Sequence, residues 1–151
     1  MTTITPQPST EAAPGAPAGK AIVSIAEVGR ADVPIVGGKG ANLGEMTAAG
    51  LPVPSGFILT TKAYRQFFDS NTLAPRVATE LARVAPDDTA ALDQRAAALH
   101  QLVLDAKVPD DLRLAIEQAY EGLAKEGSSY ARVAVRSSAT VEDTAQFSFA
   151  G

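Results

Sequence analysis

The stretch that decides the fold reads VGGKGANLGEM and runs from Val36 to Met46. Three glycines surround a single lysine, Lys39, and a further glycine follows at Gly44. Because glycine carries no Cβ, a loop of this kind lets backbone N–H groups approach an anion closely. A helix that follows such a loop adds the positive end of its dipole. The stretch therefore predicts a phosphate-binding loop in which Lys39 supplies a compact cation.

A second stretch with related chemistry reads VAVRSSATVED, from Val133 to Asp143. Apolar and polar residues alternate from Arg132 to Val135, which is typical of a half-buried strand. That strand would deliver Arg136 into a loop whose hydroxyl groups belong to Ser137, Ser138 and Thr140. A guanidinium is a planar, two-pronged donor to phosphate oxygens. We predict that Lys39 and Arg136 converge on the phosphates of a nucleotide.

Neither of the common glycine templates fits the first stretch. A P-loop would have a glycine at the position of Val33 and a serine or threonine at the position of Gly40. The dinucleotide fingerprint would place its last glycine one residue before Gly44. The residues alone therefore leave an alternative open, in which the glycines form only a tight turn and Lys39 is solvated. In that alternative Arg136 pairs with Glu142 or Asp143.

Composition restricts the class of protein. The 151 residues are 46% hydrophobic and 20% charged, which are the values of one ordinary globular domain. A net charge of -4 without a dense basic stripe argues against nucleic acid as a partner. The absence of cysteine and the single histidine exclude disulfides and multi-histidine metal sites, so we assign no metal ligand. No apolar run approaches the ~20 residues that span a bilayer, and the amino terminus lacks the pattern of a secretory signal. We therefore expect a cytoplasmic protein without a membrane partner.

The order of the predicted elements indicates an α+β fold that is rich in helices and has a small mixed or antiparallel sheet. Residues 1–19 contain four prolines and few large apolar side chains, which predicts a flexible tail rich in proline and alanine. Short strands are expected at Ala21–Ile25 and Phe57–Leu59, and an extended approach at Val33–Val36. A first helix is expected over Ala41–Ala49, ended by Gly50, and a second begins at Thr60 or Thr61. Tyr64, Phe67 and Phe68 of the second helix are expected in the core. Further helices are expected over Leu73–Val84, from Asp87 or Asp88, and from Pro109.

Two long motifs resemble one family of enzymes. VGGKGANLGEMTAAGLPVPSGF at Val36–Phe57 and VRSSATVEDTAQFSFAG at Val135–Gly151 are similar to the amino-terminal region of the phosphoenolpyruvate synthase and pyruvate phosphate dikinase family. The resemblance spans about Ile22 to Gly151. The Ser-Ser-Ala-Thr-x-Glu-Asp pattern after Arg136 is similar to the synthases (pyruvate, water dikinases) and to rifampicin phosphotransferases, and it differs from the loop of pyruvate phosphate dikinases.

The resemblance implies the N-terminal part of an ATP-grasp nucleotide-binding domain, which would occupy residues 20–151 and be truncated at its C-terminal end. ATP would pass its β-phosphoryl group to a histidine on a separate domain and then to pyruvate, or to the antibiotic in the rifampicin enzymes, leaving AMP and phosphate. By position, Lys39 and Arg136 match phosphate-contacting residues, and Gly151 matches a glycine whose backbone lies beside ATP. The ligands of Mg2+, the phosphohistidine domain and the substrate domain would lie beyond Gly151. His100 has no family motif around it and receives no role.

Three hypotheses follow, and none assigns a catalytic residue within this chain. The leading one is the ATP-binding portion of a pyruvate, water dikinase, which we expect to lack turnover when isolated. The second is the corresponding portion of a rifampicin phosphotransferase. The third is a stand-alone nucleotide-binding module without catalysis. The strand expected to begin at Gln146 would lack a partner within the chain, so we expect marginal stability or self-association.

Overall fold

A computed structural model describes residues 19–82, 89–124 and 131–140 of the chain. Within these residues the fold is α+β and rich in helices, with one small antiparallel sheet of two strands, as the sequence predicted. The elements, in chain order, are β1 (Ile22–Ser24), α1 (Val33–Ala48), β2 (Phe57–Leu59), α2 (Thr61–Ser70), α3 (Leu73–Leu81), α4 (Thr89–Leu104) and α5 (Asp110–Glu121). The expected tail, the helix start at Asp87 or Asp88 and the strand from Gln146 fall outside the described residues.

The chain divides into two compact units. Among the described residues, unit 1 consists of Val23–Ile58 together with residues 134–140. Unit 2 consists of Gly19–Ile22 together with the described part of Leu59–Val133. The glycine-rich stretch and the segment that carries Arg136 therefore belong to the same unit.

The register of the β1–β2 pair follows from the hydrogen bonds at its two ends. The Ile25 amide donates to the Gly56 carbonyl at 3.1 Å, and the Thr60 amide donates to the Ala21 carbonyl at 2.9 Å. The predicted strand at Phe57–Leu59 is confirmed, but its residues are half-buried or exposed and not fully buried. A ribbon of only two strands gives little cover to either face.

Helix α1 begins earlier than the sequence predicted. We expected an extended approach at Val33–Val36, a glycine loop, and a helix from Ala41. Instead the helix starts at Val33 and continues through the glycines, with one non-helical residue, Gly37, at φ 74° and ψ 169°. Pro34 stands in the first helical turn, where its missing N–H has no intrahelical partner to lose. The predicted phosphate loop is therefore a kink within a helix.

The C-terminal end of α1 agrees with the prediction. Gly50 has a φ of 75°, a value that glycine adopts without steric cost. The Leu51 amide donates to the Met46 carbonyl and the Gly50 amide to the Thr47 carbonyl, both at 3.0 Å. These two bonds form a Schellman motif, which satisfies the last carbonyls of the helix.

The core of unit 1 lies between α1 and the segment that follows β1. Val23, Val28, Val36 and Ala41 are buried together, with Ile58 packed against them. Gly44 lies so close to this segment that an added Cβ would stand 2.0 Å from the Val28 carbonyl oxygen. The close approach is possible only because Gly44 has no side chain.

Unit 2 begins with a well-capped helix. Thr60 is only 1% exposed, and its hydroxyl donates to the Lys20 carbonyl at 2.7 Å while it accepts from the Lys62 amide at 3.3 Å. Thr60 is therefore the N-cap of α2, as predicted. The helix expected from Pro109 is confirmed as α5, with Pro109 at its N-cap and Leu112 buried.

Two sequence predictions about packing are wrong. Tyr64, expected in the core with Phe67 and Phe68, is 59% exposed, and its ring lies against that of Phe68 at a tilt of 32°, with centroids 4.3 Å apart. The polar hydroxyl allows a tyrosine ring to remain at the surface. The segment Arg132–Val135 forms no strand in the described part of the chain, and Val135 is 94% exposed. A strand depends on cross-strand neighbours more than on its own propensity.

Candidate functional site

The kink at Gly37 interrupts the hydrogen-bond ladder of α1. In an unbroken helix the Gly40 N–H would donate directly to the Val36 carbonyl. Here the hydroxyl of Ser138 stands between them, donating to the Val36 carbonyl at 2.8 Å and accepting from the Gly40 amide at 3.2 Å. One side chain from the second stretch therefore completes the ladder of the first.

A second hydrogen bond joins the same two stretches. The Gly38 amide donates to the Ala139 carbonyl at 3.1 Å. The approach is close, because a Cβ on Gly37 would lie 2.3 Å from Ser138 Oγ and 2.8 Å from the Ser138 carbonyl carbon. The glycine-rich stretch and the segment that carries Arg136 are thus in direct contact within unit 1, through Ser138 and Ala139.

The predicted site residues occupy different environments. Lys39 lies between the two tethered glycines and is half-buried. Arg136 is exposed and precedes Ser138 by two residues. Gly151 lies outside the described residues, as do Glu142 and Asp143, the partners of Arg136 in the alternative interpretation. The assignment of these residues to a nucleotide stays a prediction.

The donors available to an anion differ from those that the sequence suggested. The amides of Gly38 and Gly40 donate to the Ser138–Ala139 segment in this structure. The Ser138 hydroxyl hydrogen is likewise used by the Val36 carbonyl. We had expected these groups to face phosphate.

Comparison with known families decides what kind of domain this is. Residues 33–151 match the family described as pyruvate phosphate dikinase, AMP/ATP-binding domain. The chain belongs to this family. The match begins at Val33, the first residue of α1, and extends over the Ser138 segment. The Ser138 hydroxyl and the two backbone groups that it joins, the Val36 carbonyl and the Gly40 amide, form a hydroxyl bridge. All three residues therefore lie within the AMP/ATP-binding domain.

Curated proteins that match most of this chain include several phosphoenolpyruvate synthases. The chain is 45% identical over 133 residues to a probable phosphoenolpyruvate synthase of Methanocaldococcus jannaschii, covering 87% of the chain and 11% of the relative. It is 40% identical over 141 residues to a probable phosphoenolpyruvate synthase of Methanothermobacter thermautotrophicus, covering 93% of the chain and 21% of the relative. It is 43% identical over 134 residues to the phosphoenolpyruvate synthase of Pseudomonas aeruginosa, covering 86% of the chain and 17% of the relative. The chain thus spans about a fifth or less of their lengths.

Side chains that bind metal ions are not clustered in the described part of this AMP/ATP-binding domain. No group of three or more histidine, cysteine, aspartate or glutamate side chains clusters there in a way that could hold a metal ion. His100 is exposed on α4, in unit 2. None of the helices in the described ranges is long and apolar enough to cross a membrane.

Sequence reasoning missed the elements that support the kinked helix. Asp32 is buried, and its carboxylate accepts from the Gly29 amide at 2.9 Å. The Glu45 carboxylate accepts from the Arg30 amide at 2.7 Å, which ties the last turn of α1 to the segment before the helix. An aspartate two residues before Pro34 is a helix-start signal, and it was available in the sequence.

Proposed function

We propose that this chain is part of the ATP-binding portion of a phosphotransferase of the phosphoenolpyruvate synthase kind. The observation that carries the proposal is the hydroxyl bridge of Ser138. It joins the stretch of Lys39 to the segment of Arg136 within one unit of an AMP/ATP-binding family domain. Two cations presented by joined backbone segments suit a polyphosphate ligand.

The chemistry of the two side chains differs in a useful way. Lys39 is a point charge, whereas Arg136 can donate two parallel hydrogen bonds to one phosphoryl group. Phosphoryl transfer is catalysed mainly by positioning and by neutralising charge as it spreads over the transferring group. We assign Lys39 and Arg136 to the phosphates of ATP and the backbone of Gly151 to its neighbourhood.

The remainder of the reaction belongs to other parts of a longer protein. In the proposed sequence the β-phosphoryl group of ATP passes to a histidine on another domain and then to pyruvate, giving phosphoenolpyruvate, AMP and phosphate. The names of the relatives support pyruvate over rifampicin as the acceptor. Mg2+ would be held by residues beyond Gly151. We propose an ATP-grasp domain beginning near residue 20, in a cytoplasmic enzyme.

Titration of the chain with ATP tests the site. We expect Lys39→Ala and Arg136→Ala each to raise the ATP dissociation constant about tenfold, because each removes a charge-assisted hydrogen bond to phosphate. Isothermal titration calorimetry at low salt would measure the change. Lys107→Ala and Arg113→Ala are charge-matched controls, since both side chains form exposed ion pairs in unit 2. If the site variants bind ATP as the controls do, the assignment is wrong.

A second measurement tests whether phosphoryl transfer needs a domain outside this chain. The isolated 151-residue chain should bind ATP without releasing AMP, because the histidine that accepts the phosphoryl group is proposed to lie in another domain. Chromatographic detection of AMP after prolonged incubation with ATP and Mg2+ provides the measurement. Sustained AMP release that Lys39→Ala abolishes would show that the chain turns over by itself.

A further inference from the structure

We infer that Ser138 is a positioning residue that holds Lys39 and Arg136 in register with each other. The inference rests on the proposed function, because it describes how the same site is assembled. Ser138 itself does not contact phosphate in this arrangement, since its hydroxyl is engaged with the backbone of α1. Its contribution would pass through the two cations.

The first step of the argument is the match between a hydroxyl and a broken helix. The kink separates one carbonyl, that of Val36, from one amide, that of Gly40, and both residues are buried. A serine hydroxyl has one hydrogen to donate and lone pairs to accept, so it satisfies both groups at once. Alanine at this position would leave both without that partner, and unsatisfied buried backbone groups are costly.

The second step is the placement of Lys39 between two tethers. Gly38 is bonded to Ala139, and Gly40 is bonded to Ser138, so the residues on both sides of Lys39 are fixed to the same dipeptide. The backbone that carries the lysine therefore cannot turn independently of that segment.

The third step concerns Arg136. It lies two residues before Ser138 in a segment without regular secondary structure in the described range. Two residues of extended chain span at most roughly 7 Å. Anchoring Ser138 to the kink therefore restricts where the guanidinium can reach. The same hydroxyl thus limits the placement of both cations.

A double-mutant cycle tests the inference. We expect Ser138→Ala to raise the ATP dissociation constant about five- to tenfold, which corresponds to the loss of a net hydrogen-bond contribution. In the Lys39→Ala background the same substitution should have a smaller effect, about two- to threefold, because only its action through Arg136 remains and coupled residues are not additive. Ser137→Ala, a neighbouring exposed serine, is the matched control and should bind as the wild type does. Equal effects of Ser138→Ala in both backgrounds would show a merely structural role and overturn the inference.

Hydrogen exchange of the wild-type chain gives a test that needs no variant to fold. ATP binding should increase protection of the Gly38 and Gly40 amides, because a ligand stabilises the tethered arrangement to which it binds. Unchanged or decreased protection at saturating ATP would overturn the inference. Should Lys39→Ala and Arg136→Ala weaken ATP binding while Ser138→Ala does not, the inference fails and the proposed function stands. Should none of the three variants weaken binding, both fail.

Discussion

Gly44→Ala should lower the free energy of unfolding of unit 1 by about 3 kcal/mol or more, the upper range for overpacking of a core. The new Cβ would lie 2.0 Å from the Val28 carbonyl oxygen and 2.7 Å from its carbonyl carbon. These are backbone atoms of a buried residue in the core cluster, so they cannot rotate away as a side-chain end can. In an ordinary helix interior the same substitution is stabilising by about 1 kcal/mol. At Gly44 the same substitution is therefore expected to destabilise the helix instead of stabilising it.

Chemical denaturation followed by amide hydrogen exchange would measure this loss. Exchange at the amides of α1 reports unit 1 separately, which matters because two compact units need not unfold together. Gly122→Ala is the matched control, since the nearest atoms to its added Cβ are 3.5 Å and 3.6 Å away. It has right-handed helical backbone angles and should be neutral or slightly stabilising. A Gly44→Ala chain as stable as the Gly122→Ala chain would contradict the close approach to Val28.

Gly37→Ala should have the second-largest effect, lowering the stability of unit 1 by roughly 3 kcal/mol through two separate costs. The backbone angles, φ 74° and ψ 169°, lie in a region that is essentially restricted to glycine. The added Cβ would also lie 2.3 Å from Ser138 Oγ and 2.9 Å from the Ala139 carbonyl oxygen. We therefore expect the Ser138–Ala139 segment to be displaced and the affinity for ATP to fall with it.

Gly50→Ala separates the two costs. Gly50 also has a positive φ, 75°, but an added Cβ there would meet nothing within 4 Å. Its substitution should cost only the conformational penalty, about 1 kcal/mol, and should leave ATP binding unchanged. Denaturation and ATP titration of both variants give the comparison. Equal losses of stability, with equal affinities for ATP, would mean that crowding against Ser138 is absent in solution.

The features that sequence analysis predicted correctly are mostly set by short-range chemistry. Gly50 ends α1, Thr60 caps α2 and Pro109 begins α5, because each signal acts through the backbone of its immediate neighbours. The shared chemistry of Lys39 and Arg136 suggested that both stretches serve one ligand, and that assignment stays a prediction.

The features that it missed depend on distant partners. The continuation of α1 through three glycines is supported by the hydroxyl of Ser138, far away in the sequence, which no local pattern could indicate. The failed strand at Arg132–Val135 has the right alternation but lacks a neighbouring strand among the described residues. The sequence likewise presents Ser138 only as one hydroxyl donor in the loop after Arg136, whereas in the structure its hydroxyl bonds two backbone groups of α1.

The hydroxyl bridge also bears on the order in which parts of the chain can fold during synthesis. Its partners, Val36 and Ser138, are 102 residues apart, and closing a flexible loop of that length costs about 4 kcal/mol of chain entropy. Every residue of unit 2, from Gly19 to Val133, is synthesised before Ser138. A nascent chain can therefore form all of unit 2 while the kink in α1 still lacks the hydroxyl that bridges it. The glycine-rich helix is among the first elements to be made and among the last to be finished.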